Sequence, residues 1–280
     1  MNKKELIIEA DDLEKILNEP DLRLFDATVL LAPQNGESGL SRYNDGHLPG
    51  AAFLDHQAIS KQQVSPMFML PEVQALETAI GDLGIDNSST VVIYSTDSLM
   101  WATRVWWVLR YAGHKNVRVL NGGRNAWSGK LETSPNFYEA ATYRAEVEHE
   151  MIADKDEVLE AINTGSSCIL NALPHSFYTG ESDVPYAKQG HITGSASLPF
   201  DLMSDGDFLK STKALDGAFS GQDKNKRLIS YCGGGIAATL TATCAKLVGF
   251  KNVAVYDGSM SEWLEAGLPT TKGPEPGKLN

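Results

Sequence analysis

The chain holds three cysteines, Cys168, Cys232 and Cys244, and one of them has neighbours suited to chemistry. Cys232 follows the apolar run Leu228–Tyr231 and precedes Gly233-Gly234-Gly235-Ile236-Ala237-Ala238. Three successive glycines remove every Cβ, so the backbone can curl tightly with its N–H groups turned inward. A helical segment predicted from about 237 to 248 then aims its positive end at the same spot. Both features stabilise negative charge on sulfur, so Cys232 is expected to be a nucleophilic thiolate. Gly233, Gly234, Gly235, Ile236 and Ala237 are expected to cradle the substrate, or an anionic group carried on the sulfur, such as a persulfide.

Other chemistries fit this loop poorly. A cysteine phosphatase needs an arginine at the loop's end to hold phosphate oxygens. Here the loop ends Ala237-Ala238-Thr239, with no arginine before the end of the predicted helix. Neither G-x-x-x-x-G-K-[ST] nor G-x-G-x-x-G is completed, so no nucleotide loop is expected. The six histidines form no metal-binding pair, and no metal site is predicted. Cys168 lies inside a predicted strand and Cys244 inside a predicted helix, and both read as core residues.

The elements that must position Cys232 come from a repeat. Gly113 to Trp127 returns as Gly249 to Trp263 with seven of fifteen positions identical. Val91–Ser95 matches Leu228–Cys232, and Gly46–Ala51 matches Gly190–Ser195, at offsets of 137 and 144 residues. Order is kept and spacing drifts by loop lengths, which indicates a duplicated domain. In the first copy, strands are expected at Leu22–Ala27, Val91–Tyr94 and Val117–Leu120. A helix is expected over Trp101–Tyr111, with apolar residues 101, 105, 108 and 109 at helical spacing and Gly113 ending it, and a second helix around Trp127. The second copy repeats this with strands at Cys168–Ala172, Leu228–Tyr231 and Val253–Tyr256. Alternation of this kind predicts, in each copy, a mostly parallel sheet flanked by helices on both faces. The polar stretch from about 129 to 150, with Pro135 and no periodicity, reads as a join. The expected division is residues 1–135, a linker over 136–150, and residues 151–280.

The strand, cysteine, glycine loop and helix resemble the active-site loop of rhodanese-type sulfurtransferases. Gly190–Ser195, Asp257–Ser259 with Glu262-Trp263, Arg104-Val105-Trp106-Trp107 and Gly46–Ala51 resemble further motifs of that family. So does the tandem layout, in which Ser95 takes the cysteine's place in the first copy. The resemblance covers nearly the whole chain and implies two tandem rhodanese-like α/β domains, the first catalytically silent. It implies a ping-pong cycle in which Cys232 takes sulfane sulfur from a donor such as thiosulfate or 3-mercaptopyruvate. The resulting persulfide passes its sulfur to cyanide or a thiol, and no cofactor is required. The implied partners are a small anionic sulfur donor and a thiophilic acceptor.

This chain departs from the family at the donor site. Thiosulfate-type members tend to carry a basic residue two positions after the cysteine and mercaptopyruvate-type members a serine. Gly234 matches neither. The positions aligned with the family's donor-clamping arginines are Leu173 and Phe177. Thiosulfate is preferred to 3-mercaptopyruvate as the donor type; the alternative is a low-turnover sulfur-binding or thiol-sensing module. His47 and His191 recur in both copies, as structural turn residues would. In mercaptopyruvate-type relatives the first-domain histidine can lie near the site, so His47 is also a candidate for acid–base or substrate contact. Arg104 is a second cleft candidate, against a surface or interdomain ion pair.

Composition narrows the remaining classes. Hydrophobic residues are 42% and charged residues 21%, which suits a globular protein and argues against extensive disorder. Twenty-four basic against 36 acidic side chains give a net charge of −12, which repels phosphate backbones and argues against nucleic-acid binding. Few cysteines, no run near the ~18 apolar residues of a membrane helix, and a start that turns acidic early lead to the expectation of a cytoplasmic protein without membrane partners.

Overall fold

The structure, a computed structural model, describes residues 1–30, 36–63, 65–183 and 188–279. It divides into two compact units. The first holds residues 1–61, 70–148 and 205–209; the second holds 62–69, 149–204 and 210–280. Each copy of the repeat therefore sends one short arm into the other copy's unit. The two arms, 62–69 and 205–209, follow matching short 3-10 turns, His56–Ile59 and Phe200–Met203.

The first unit runs α1 (Lys3–Leu6), β1 (Ile7–Ile8), α2 (Ala10–Ile16), β2 (Leu22–Asp26), α3 (Gly39–Asp45), β3 (Ala52–Phe53), α4 (Val73–Asp82), β4 (Thr90–Tyr94), α5 (Leu99–Tyr111) and β5 (Val117–Leu120). Its sheet has the order β1-β5-β4-β2-β3, with every pairing parallel. The second unit runs β6 (Ile152–Ala153), α6 (Lys155–Thr164), β7 (Ser167–Asn171), α7 (His175–Thr179), β8 (His191–Ile192) and β9 (Ala196–Ser197). After the ribbon β10 (Ser204–Asp205) and β11 (Phe208–Leu209) come α8 (Thr212–Ala218), β12 (Arg227–Tyr231), α9 (Ala237–Leu247), β13 (Val253–Tyr256), α10 (Ser259–Glu265) and β14 (Thr270–Thr271). Its main sheet, β6-β13-β12-β7-β9, is again all parallel. Helices flank each sheet, as the alternating pattern requires.

The duplication extends to single bonds. β4 lies beside β2 with Thr90 opposite Leu22 and Tyr94 opposite Asp26; β12 lies beside β7 with Arg227 opposite Ser167 and Tyr231 opposite Asn171. The Tyr94 hydroxyl accepts the Leu48 N–H at 3.2 Å, and the Tyr231 hydroxyl accepts the Ile192 N–H at 2.9 Å. Each central strand thereby ties its sheet to the Gly-His turn of its own copy.

Helix α5 is buried from Leu99 to Leu109, because its sequence is apolar nearly all round. Two expectations are revised. The helix expected around Trp127 is a 3-10 turn over Gly123–Ala126, after which Trp127 is extended. Gly123, Asn125 and Gly129 are poor helix formers, whereas the matching α10 contains Met260, Glu262 and Leu264 and continues past Trp263. Residues 136–148 are not a free tether. They lie along the first unit, with Ala141 N–H donating to Gly81 O, Glu146 N–H to Ala112 O and Glu148 N–H to Tyr111 O, at 2.9 to 3.1 Å. Gly81, Gly84 and Gly113 let this strap approach, because a Cβ on any of them would strike its backbone or Tyr138. No helix among the described residues is long and apolar enough to cross a membrane.

Candidate active site

Cys232 leaves the C-terminal end of β12, the edge of a parallel sheet where ligands bind. Its relative exposure is 2%. Gly235 takes φ +76°, the left-handed turn that carries the loop into α9. Ile236 occupies the N-cap of α9 and offers no side-chain acceptor to the first turn. Among the described residues, the backbone N–H groups of Gly233, Gly234, Ile236 and Ala237 have no hydrogen-bond partner. Unpaired donors and the positive end of an 11-residue helix thus meet beside one sulfur, an arrangement that holds an anion. Among the described residues no cluster of His, Cys, Asp or Glu could hold a metal ion.

The loop's shape is fixed by Ser259, a role the sequence reading did not assign. The Ser259 hydroxyl accepts the Cys232 N–H at 3.0 Å and the Gly235 N–H at 3.1 Å, and donates to Tyr256 O at 2.8 Å. Ser259 has φ +51°, unusual for a residue with a side chain. Its counterpart in the repeat is Gly123, with φ +53°, where a Cβ would collide with the Ser95 carbonyl. The second copy thus places a hydroxyl where the first tolerates only hydrogen. Ser261 adds a second tie, its N–H and Oγ both donating to Gly233 O at 3.0 and 2.8 Å. The available signal was this Gly-to-Ser change inside an otherwise matching repeat.

The arm 62–69 also reaches the loop. The Met67 carbonyl lies 3.6 Å from where a Cβ on Gly234 would stand, and Ser65 Oγ donates to the Glu265 carboxylate. Residues 234 and 67 are distant in sequence, and nothing local marks their meeting.

The two first-copy candidates sit in packed surroundings. His47 is fully buried, stacked on Tyr43 at 3.8 Å between ring centroids. Its Nδ1 donates to Tyr43 O at 2.8 Å and its Nε2 accepts from the Asn136 amide at 3.3 Å. His191 repeats this with Tyr178, at 3.7 Å between rings and 2.8 Å from Nδ1 to Tyr178 O. The recurrent histidine therefore staples a helix to the following turn in both copies. Arg104 is 2% exposed inside α5, so it is not a surface residue. It adds to the electrostatic cost of charging His56, whose burial already pushes its pKa down to about 4.

The other cysteines differ from Cys232. Cys244 is buried in α9, and burial pushes its thiol far above the ordinary range. Cys168 is half-buried in β7, opposite Leu228. Ser95, in the place of Cys232, turns its hydroxyl back to Ser98 O at 2.5 Å.

Comparison with known proteins agrees with this geometry. A model of the rhodanese-like domain family matches residues 9–130 and 154–266. The chain is 34% identical over 264 residues to a thiosulfate sulfurtransferase of Cricetulus griseus, covering 90% of this chain and 88% of that protein. It is 30% identical over 269 residues to a 3-mercaptopyruvate sulfurtransferase of Escherichia coli strain K12, covering 93% and 95%. The crystal structure of SseA from Escherichia coli, described as showing the rhodanese fold and catalytic mechanism of 3-mercaptopyruvate sulfotransferases, superposes with a TM-score of 0.84. It covers 93% of this chain and all of that one, at 27% identity. Two matched stretches, two parallel sheets of the same order and relatives aligned almost end to end lead to one conclusion: the chain belongs to the rhodanese family, with two rhodanese-like domains in tandem.

Proposed function

We propose that the protein is a sulfurtransferase and that Cys232 is the residue that carries the sulfur. The observation behind this reading is a cysteine at the end of β12 whose loop leaves four backbone N–H groups unpaired at the start of a buried helix. Relatives named for thiosulfate and for 3-mercaptopyruvate both support sulfur transfer. The Cys232 thiolate attacks the sulfane sulfur of the donor, and an Sγ–S bond forms as the donor's bond to that sulfur breaks. With thiosulfate, the bonding pair leaves on sulfite. The persulfide anion then rests against the N–H groups of Gly233, Gly234, Ile236 and Ala237. A thiophilic acceptor attacks the terminal sulfur, and the electron pair returns to Cys232 as thiolate. Gly235 shapes the turn. The first domain, with Ser95 in place of cysteine, is catalytically silent. Three unpaired cysteines fit a reducing compartment, and we place the protein in the cytoplasm on that ground.

The test is direct. The protein is incubated with thiosulfate or 3-mercaptopyruvate and weighed by mass spectrometry. One added sulfur is expected, lost on adding cyanide and absent in Cys232→Ser. No uptake from any sulfane donor would refute the reading.

A further inference from the structure

The first unit carries a cavity of about 410 Å³ that the sulfur chemistry does not use. Strand β3 is two residues long and pairs only with Phe25 and Asp26, so the opening half of β2 has β4 on one side and no strand on the other. The cavity lies there. Its walls are Leu17, Pro20, Leu22, Leu24 and Pro49, and the strap completes it with Phe137, Tyr138 and Glu139. Side chains already occupy the polar groups of the open edge. The Leu24 N–H donates to the Tyr138 hydroxyl at 2.9 Å, and that hydroxyl donates to Gly50 O at 2.9 Å. Arg23 Nη1 donates to Pro20 O and Leu22 O, both at 3.0 Å. The edge is therefore closed to an added strand, and what remains to be recognised is the surface of the side chains. Phe137 dominates that surface, because it is 85% exposed. The backbone on either side of it is pinned. Asn136 N–H donates to the Tyr43 hydroxyl at 2.9 Å and its amide to Ala51 O at 3.2 Å, while Tyr138 is held as above. An aromatic ring left in water on a fixed backbone is the kind of anchor that carries most of the energy of an interface.

Charge selects what can sit there. Glu19 and Glu139 both line the cavity, both are exposed, and neither carboxylate has a partner among the described residues. A third carboxylate, that of Glu132, accepts the N–H of the lining residue Gly50 at 2.9 Å. Arg23 is the one cation among the described lining residues. Its Nε donates to Gly84 O at 2.7 Å, its Nη1 serves two further carbonyls, and the guanidinium lies 5.0 Å from the centre of the Tyr138 ring. Its charge is thus held against the protein's own carbonyls and ring, whereas two carboxylates stand free. A second copy of the chain would bring the same carboxylates and a net charge of −12, so pairing of two copies through this face is opposed. We propose that the cavity is a docking site for a short basic segment of a partner protein. An apolar side chain of that segment rests on Phe137 and the leucine and proline walls, and a lysine or arginine reaches Glu19 or Glu139. The site belongs to the first unit alone and is independent of the reading of Cys232.

The experiment selects a random peptide library displayed on phage against the immobilised full chain, with Phe137→Ser as the counter-target. Enriched peptides are expected to carry lysine or arginine close to an aromatic or branched aliphatic residue. A fluorescently labelled copy of the most enriched peptide is then titrated with each protein and followed by anisotropy. Phe137→Ser should weaken binding by about tenfold. Glu19→Gln and Glu139→Gln, tested separately, should each weaken it by about threefold at low salt, and the difference should shrink at high salt. All three variants should make thiocyanate at the wild-type rate, since none of these side chains belongs to the Cys232 loop. Sedimentation of the wild type and Phe137→Ser at rising concentration tests the competing occupant, and a single monomeric species is expected for both. Selection that enriches no basic peptide, equal binding to Phe137→Ser, or affinity untouched by both glutamate variants overturns the proposal. So does a dimer of the wild type that Phe137→Ser abolishes, which would assign the face to a second copy instead.

Discussion

Ser259 reaches the Cys232 loop from a left-handed backbone that disfavours any side chain. The same hydroxyl pairs two buried N–H groups and leaves the others of the loop for a ligand. Ser259→Ala keeps the strained backbone and orphans both donors, so a loss of about 1–3 kcal/mol in stability is expected. A loosened loop should also lower kcat/KM by roughly tenfold to a hundredfold, at about 1.4 kcal/mol per decade. Ser259→Gly relieves the strain but not the lost hydroxyl, and should be the more stable variant by about 1 kcal/mol while remaining slow. Urea denaturation and the thiocyanate assay measure the two effects separately; full turnover in Ser259→Ala would contradict the clamp. Cys244 supplies a contrast at the same scale. Its raised thiol and complete burial predict that peptide mapping after sulfur loading finds the added mass on the Cys232 peptide and none on the Cys244 peptide.

Helices α5 and α9 are the same element in two copies, and each ends in a glycine with positive φ, Gly113 at +90° and Gly249 at +99°. Their surroundings differ. A Cβ at Gly249 meets nothing within 4 Å, whereas one at Gly113 would stand 2.5 Å from Glu146 O, on the strap over the first unit. Gly249→Ala should therefore cost only backbone strain, about 1–2 kcal/mol. Gly113→Ala must also displace the strap and should cost clearly more. Chemical denaturation of the two variants checks this; equal losses would mean that the strap gives way freely at Glu146.

For the whole molecule, pH and chain division matter. His56 donates from Nε2 to Ala27 O at 2.9 Å and packs edge-on to Trp101, and burial lowers its pKa to about 4. A histidine held neutral in the fold but free to charge at about 6.5 when unfolded gives its full contribution above that pH. The contribution is lost as pH falls toward the folded value, by up to about 3 kcal/mol. Buried Asp26, with its pKa raised by desolvation, works in the opposite sense. His56→Phe, which copies Phe200 at the matching position, should flatten the decline in urea midpoint between about pH 7 and pH 5. An unchanged slope would remove His56 as its source. The exchanged arms carry a further expectation. Cutting the chain near residue 148 separates 62–69 from the second unit and 205–209 from the first. Each half expressed alone should melt earlier than the intact chain in thermal denaturation.

Local features made much of this legible in the sequence. A glycine run after an apolar strand can only be a tight turn, so the Cys232 loop and its anion-holding backbone are dictated by residue type. Period and repeat likewise determined two parallel α/β domains, because buried strands and their covering helices leave those patterns wherever they pack. The tertiary structure decided what depends on contacts between distant segments. The Ser259 clamp spans 24 and 27 residues, the Ser65–Glu265 bond spans 200, and the strap meets its unit at scattered backbone bonds. A hydrogen bond between such segments needs only one donor and one acceptor brought together by packing, and it imposes no spacing on the chain between them. For that reason the strap read as a linker, the arm beside Gly234 left no trace, and a single Gly-to-Ser change in a repeat was the only mark of the residue that shapes the loop.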